Sequence, residues 1–288
     1  MGDLPTPALL LDLDRLDANL GWMAARADHL GVELRPHIKT HKCVEIARRQ
    51  AELGARGLTV STLYEARLFA DHGFDDLTWA FPLVPGRASE AIDLAGRVDL
   101  GLVVDSSAAL AALEGADRQL RVLLKIDCGY HRAGVDPEGT EVVELARRIA
   151  ASPRLFSGGL LTHSGHAYKE DRLTVARQER DVMVGCAQRL RTAGIDVPLV
   201  SVGSTPALTA VDHLVGIDEI RPGNYALYDY TQTVIGSCDV SDCAATVLTS
   251  TVSRPPGAAH AVVDAGALAM SRDPGPGDGF GRVFADYD

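Results

Sequence analysis

Eight short runs of β-branched and aliphatic residues recur between positions 33 and 221, with helical patterns between them. They are Glu33–Pro36, Gly57–Ser61, Leu77–Phe81, Asp99–Val104, Leu120–Asp127, Phe156–Thr162, Leu199–Val202 and Glu219–Arg221. An intervening segment such as Glu141–Ala151 (EVVELARRIAA) repeats its apolar residues at spacings of three and four, the helical period. Strands alternating with helices predict βαβ units and a parallel sheet. Eight units predict an α/β fold that closes as a (β/α)8 TIM barrel. An open doubly wound sheet is the alternative, and no Gly-x-Gly-x-x-Gly follows an early strand to support it.

Residues 6–11 (TPALLL) predict a strand, and an amphipathic helix follows over about 12–30. The pattern changes after residue 236. Cys243–Val252 alternates, Ala261–Asp264 is a short apolar run, and the turn-rich Asp273–Gly281 follows. This predicts a barrel over 1–236 that includes the N-terminal strand and helix. Residues 237–288 then begin a β domain with antiparallel strands, incomplete where the sequence stops.

No apolar run approaches the roughly 20 residues of a membrane-spanning helix, so no membrane partner is expected. Asp and Glu outnumber Lys and Arg by 39 to 28, and the net charge of −11 argues against a nucleic-acid binder. The five cysteines include no CxxC pair, and no signal peptide precedes them. Reduced thiols in a cytoplasm are the expectation.

Barrel enzymes carry their chemistry at the C-terminal ends of the strands and often hold phosphate on the last two loops. The first strand runs into RPHIKTHK at 35–42, where Lys39 follows the strand end among other cations. Such a lysine has a lowered pKa and suits a Schiff base. After the seventh strand, Gly203-Ser204-Thr205-Pro206-Ala207 leaves backbone N–H groups and two hydroxyls free, with a helix starting at Pro206. After the eighth, Arg221-Pro222-Gly223-Asn224-Tyr225 offers a second close backbone approach. Arg132 follows the fifth strand, suited to an anionic ring oxygen or carboxylate, and His163 follows the sixth, suited to a flat cofactor or proton transfer. An aldehyde, a phenolate and a phosphate on one ligand describe pyridoxal 5′-phosphate.

These motifs resemble those of the fold-type III pyridoxal-phosphate enzymes, the alanine racemase-like barrels. Within them the chain looks most like the D-threonine aldolase and D-serine dehydratase branch. The resemblance runs from Thr6 to at least Arg272. It implies that Lys39 is the lysine joined to the cofactor. In KIDCGYHRAGV (125–135) it places Arg132 beside the phenolic oxygen. In THSGHAY (162–168) it places His163 against the pyridine face, with Tyr168 a neighbour and His163 or His166 the candidate base. It implicates Ser204, Thr205, Gly223, Asn224 and Tyr225 in the phosphate turns, and Arg221 at the pyridine nitrogen. The implied activity is that of a lyase on D-β-hydroxy-amino acids, first a retro-aldol cleavage to glycine and an aldehyde. D-Serine dehydratase-type β-elimination, racemisation and cofactor binding without catalysis are the alternatives. A homodimer and a divalent metal are expected for the family. No His-x-Cys or His-x-Asp pair follows His260, so the metal ligands are not found and a C-terminal truncation is the expectation.

Overall fold

The computed structural model describes residues 4–267, 269–271 and 279–284. The turn-rich stretch from Asp273 lies outside them as far as residue 278. In chain order the elements begin with strand β1 (Ala8–Leu11), helix α1 (Leu13–Leu30), β2 (Glu33–Leu34), α2 (Val44–Glu52), β3 (Leu58–Val60) and α3 (Leu63–Asp71). There follow β4 (Asp76–Pro82), α4 (Ala88–Ala95), β5 (Asp99–Val104), α5 (Ser107–Glu114), β6 (Leu120–Lys125), α6 (Glu141–Ala151) and β7 (Leu155–Leu161). The chain continues through α7 (Arg172–Thr192), β8 (Val200–Val202), α8 (Thr205–Ala210), β9 (Glu219–Ile220) and α9 (Tyr230–Val234). Strands β10 (Ala245–Leu248), β11 (Thr251–Ser253) and β12 (Val262–Val263) come last.

Strands β2 to β9 are the eight expected from the sequence. Their sheet order is β2-β9-β8-β7-β6-β5-β4-β3, with every neighbouring pair parallel. The two ends of that list also meet. A parallel bridge joins His37 to Thr59, the Thr59 N–H donates to Pro36 O at 2.8 Å, and the Arg56 N–H donates to Leu34 O at 2.9 Å. The sheet therefore closes, and the open doubly wound alternative falls away.

Local sequence explains where the helices start. Thr62, Ser106, Asp171 and Ser204 each accept a backbone N–H from three residues on, capping α3, α5, α7 and α8. Helix α6 turns Val142, Leu145, Ala146 and Ile149 inward, the face that its spacing predicts. Val103, Leu123 and Leu161, from three adjacent strands, form a buried apolar cluster with Ala80 and Leu199 against it.

The other end of the barrel is held by charge. Arg35, just after β2, donates from both terminal nitrogens to the Asp76 carboxylate of β4 at 2.8 Å and from Nε to Glu219 of β9 at 2.6 Å. Arg121 of β6 joins Asp76 at 2.9 Å and Asp99 of β5 at 2.8 Å. The bonds to Glu219 and Asp99 join neighbouring strands, whereas the two arginines reach Asp76 past an intervening strand, so the network spans alternate strands at one end of the barrel. Asp76, Asp99 and Glu219 each begin a strand, which puts the network at the N-terminal floor. Against the cost of burial, Arg35 and Arg121 hold Asp76 below the usual carboxylate range. Gly57 leaves room for this: a Cβ there would lie 2.3 Å from the Arg35 guanidinium and 2.6 Å from Asp76 O.

Contacts divide the chain into two units. One is Leu20–Tyr225, and the other joins residues up to Asn19 with those from Ala226. The sequence reading grouped the N-terminal strand with the barrel. In the structure β1 instead pairs antiparallel with β10, Ala8 opposite Leu248, because its free edge finds a complementary ladder there. Strands β11 and β12 pair antiparallel in a second small ladder. Among the described residues no helix is long and apolar enough to cross a membrane.

Candidate active site

The turn Ile38–Thr40 follows β2 and carries Lys39 at the barrel mouth. Its seat is made by the last loop of the barrel. The His37 N–H donates to Pro222 O at 2.8 Å, and Thr40 Oγ1 donates to Gly223 O at 2.9 Å. Gly223 is required for that closeness, since a Cβ there would stand 2.7 Å from His37 O. Lys39 is exposed at the mouth, yet loss of water and then the Arg132 guanidinium lower the proton affinity of its amine. Glu65, buried at the start of α3, pulls the other way. A neutral fraction of Lys39 is what a nucleophilic amine needs.

Arg132 comes from the loop after β6. Asp127 folds that loop by accepting the backbone N–H groups of Gly129 and His131, both at 3.0 Å. The Arg132 guanidinium sits over the Tyr130 ring, 4.9 Å from its centre. Tyr130 also meets His163 edge-on at 6.1 Å and stacks on His166 at 5.8 Å. Arg132, Tyr130, His163 and His166 thus form one cluster at the mouth.

His163, just beyond β7, binds Gly203 O through Nδ1 at 3.1 Å. With Nδ1 donating, Nε2 keeps its lone pair. Burial, then Lys125 and Lys39, hold the imidazole well below its ordinary pKa, so it is neutral at pH 7. His166 is 6% exposed, and neither of its ring nitrogens has a hydrogen-bond partner among the described residues. Buried polar atoms without partners mark a place where something polar binds. Tyr168 closes the turn Gly165–Tyr168 and is half-buried.

Two expectations need correction. The hydroxyls of the Ser204–Thr205 turn are not free. Ser204 Oγ donates to Ser164 O at 3.2 Å and also accepts the Ala207 N–H, while Thr205 Oγ1 accepts the Tyr225 N–H at 3.2 Å. They tie the loops after β7, β8 and β9 together. Tyr225 does not present its ring to the mouth either. The side chain is fully buried, and its hydroxyl accepts from Gln50 of α2 at 2.9 Å. Asn224 begins the turn Asn224–Ala226 beside it.

Arg221 is buried beneath these loops. It donates to Ser201 Oγ and to Thr162 O, and Ser201 in turn donates to Glu219 at 2.5 Å. The floor network therefore reaches the mouth through Glu219 and Ser201. Burial lowers Arg221 to about 10, with Glu219 and Glu179 opposing, so it stays charged at pH 7.

Sequence reasoning missed several groups. Lys125 ends β6, is 5% exposed and is pushed down to about 7 by burial, then by Arg221 and Arg132. Glu179 of α7 is buried, accepts the Gly203 N–H at 3.0 Å and is raised by burial. A lysine closing the otherwise apolar LRVLLK is a readable signal. So is Thr62-x-x-Glu65, which has the capping-box spacing.

The matches with known proteins follow this geometry. The alanine racemase N-terminal domain profile matches residues 11–231, and that of the D-serine dehydratase domain matches residues 244–287. The chain belongs to the alanine racemase-like, fold-type III pyridoxal-phosphate family. It is 40% identical to D-threo-3-hydroxyaspartate dehydratase of Delftia sp. (strain HT23), over 94% of this chain and 74% of that protein. It is 36% identical to D-serine dehydratase of Dictyostelium discoideum, over 96% of this chain and 76% of the relative. D-Threonine aldolase of Arthrobacter sp. is 32% identical, with coverages of 98% and 77%. The solved Delftia enzyme superposes with a TM-score of 0.91, over 95% of this chain and 74% of that one. D-Threonine aldolase from Filomicrobium marinum gives 0.85 at 31% identity, covering 96% and 77%. These members of the family are lyases, both dehydratases and aldolases.

The barrel mouth makes a pH prediction. His37, His41 and His163 all have folded pKa values below the ordinary 6.5, in each case through burial first. Below pH 6.5 the unfolded chain binds protons that the folded chain refuses, so stability is full above 6.5 and falls as pH drops. His41, lowered to about 4, costs about 2 kcal/mol by pH 5 on its own. Urea unfolding at pH 7.5 and pH 5 should show at least this loss, and equal midpoints would contradict it.

Proposed function

We propose that the chain is a pyridoxal-phosphate-dependent lyase of D-β-hydroxy-amino acids, acting by β-elimination of the dehydratase type. The observation that carries the reading is the Lys39 amine, lowered in proton affinity at the mouth, beside Arg132 and the neutral His163. The residues fit the cofactor: Lys39 and Arg132 would hold its aldehyde and phenolate end. The backbone around Gly203 and Gly223 would hold its phosphate, with His163 against the ring. When bound, the cofactor supplies an electron sink for the bond broken at the substrate Cα.

The chain's own residues then have separate tasks. Lys39, with its neutral fraction raised, removes the α-proton. Arg132, seated on Tyr130, holds an anionic oxygen by charge-assisted hydrogen bonds. His163 commits one nitrogen to Gly203 and offers the other as an acceptor. Arg221, charged and fixed between Ser201 and Thr162, places a positive group beneath the loops, which disfavours a proton on any nitrogen beside it.

The sequence motifs put retro-aldol cleavage first. Identities of 40% and 36% to dehydratases, against 32% to an aldolase, favour elimination. The aldolase reading keeps one observation of its own: His166, buried with both ring nitrogens unpartnered among the described residues, suits a base for a β-hydroxyl. D-Threonine with added pyridoxal phosphate separates the two. Elimination releases 2-oxobutanoate and ammonia, whereas retro-aldol cleavage releases glycine and acetaldehyde. With D-threonine, D-serine and D-3-hydroxyaspartate all tried, no product from any would overturn the lyase reading. We also propose a homodimer, which light scattering of the purified chain tests directly.

A further inference from the structure

Cys238 and Cys243 lie in the unit outside the barrel, at the two ends of one short loop. The loop is rigidly built. Asp239 and Asp242 cap each other around the turn Val240–Asp242, with the Asp239 N–H donating to Asp242 Oδ2 at 2.8 Å. At one end the Ser237 N–H donates to Gln232 O of α9 at 2.8 Å. At the other, the Ala244 N–H donates to Leu227 O at 2.8 Å, and Asn19 Nδ2 donates to Asp242 O at 2.8 Å. Both cysteines are therefore fixed by backbone on either side, and their thiols are hydrogen-bonded to each other. Cys238 is half-buried and Cys243 is 8% exposed, so a small reagent reaches the pair from the Cys238 side.

We propose that Cys238 and Cys243 form a reversible intrachain disulfide by exchange with a low-molecular-weight disulfide of the glutathione type. The Cys243 thiolate attacks one sulfur of the small disulfide, forming a mixed disulfide and releasing one small thiolate. Cys238 gives its proton to that thiolate, and its sulfur displaces the second small thiolate from Cys243. Two protein thiols are oxidised, one small disulfide is reduced, and two small thiols leave.

The shared hydrogen bond supports this order, because it holds the Cys243 thiol below its ordinary range and raises Cys238. The buried barrel cysteines contrast with the pair. Burial pushes Cys128 up to about 12 and Cys186 up to about 11, which leaves both as inert thiols at neutral pH. A bond closing so short a loop removes little chain entropy, so its effect is local. It locks the segment between α9 and β10, and β10 is the strand that receives β1.

The test equilibrates the full chain in glutathione buffers from reducing to oxidising, traps free thiols with N-ethylmaleimide under denaturing conditions, and maps peptides by mass. The expected result is a 238–243 peptide lighter by two hydrogen atoms, restored by dithiothreitol. Alkylation at the two positions should fall together by about tenfold or more across the series. Cys43, Cys128 and Cys186 stay alkylated. With Cys243→Ala, Cys238 carries at most a glutathione adduct. Full alkylation of both cysteines at the oxidising end would overturn the proposal. So would pairing to another cysteine or to a second chain.

Discussion

Lys39→Ala should remove the visible absorption band that pyridoxal phosphate gives when linked to a lysine of the protein. Lyase turnover should fall with it by at least about a thousandfold, the scale expected when a covalent catalytic group is deleted. The prediction discriminates because the barrel holds two amines of lowered proton affinity. Lys125 is lowered to about 7, further from its ordinary value than most surface lysines ever move, but it is 5% exposed and enclosed by Arg221, Arg132 and Glu179. Lys39 stands exposed in the mouth on a turn held by the last barrel loop. Accessibility, not the size of the shift, selects Lys39. A Lys125→Met protein should accordingly keep the band. If Lys39→Ala kept it and Lys125→Met lost it, the assignment of the two amines would be reversed.

Glu219→Leu should destabilise the protein by about 3–5 kcal/mol, the cost of breaking a buried ion pair from one side. Glu219 is 1% exposed and serves Arg35 at 2.6 Å and Ser201 at 2.5 Å. Leucine would leave the Arg35 Nε without its acceptor and would free the hydroxyl on which Arg221 depends. Ser201→Ala spares the Arg35–Glu219 pair but removes the hydroxyl that serves both Glu219 and Arg221, and should cost about 1–3 kcal/mol. Urea titrations of the three proteins measure both differences. A Glu219→Leu loss no larger than that of Ser201→Ala would show that the floor charges are dispensable.

The two substitutions also mark what was and was not legible in the sequence. The barrel was legible because eight aliphatic runs at regular spacing have few other solutions, and Asp99–Val104 and Glu141–Ala151 are found at the expected positions. Lys39 was legible as a candidate because cations crowd that strand end, and the structure puts it exposed on the turn after β2. The floor network was not. Arg35, Asp76, Arg121 and Glu219 are scattered over the chain and read singly as solvated strand ends. Only closure of the sheet brings alternate strands face to face and makes one network of them. Arg221 was placed in the right loop, but nothing local reveals that Ser201 and Thr162 would take its donors. Ser204 and Thr205 misled for a related reason. A hydroxyl in a turn looks free until the neighbouring loops that consume it are known.

The seam that seats Lys39 also sets a sequence of events during synthesis. Thr40 and Gly223 are 183 positions apart, and the bond between them joins the first strand's turn to the last strand's loop. A chain emerging from the ribosome displays Lys39 early, but the partner that fixes it is made only after seven further strands. Contacts between such distant positions form late in folding. The Lys39 turn thus waits for most of translation, and it takes its seat only in the step that completes the ring.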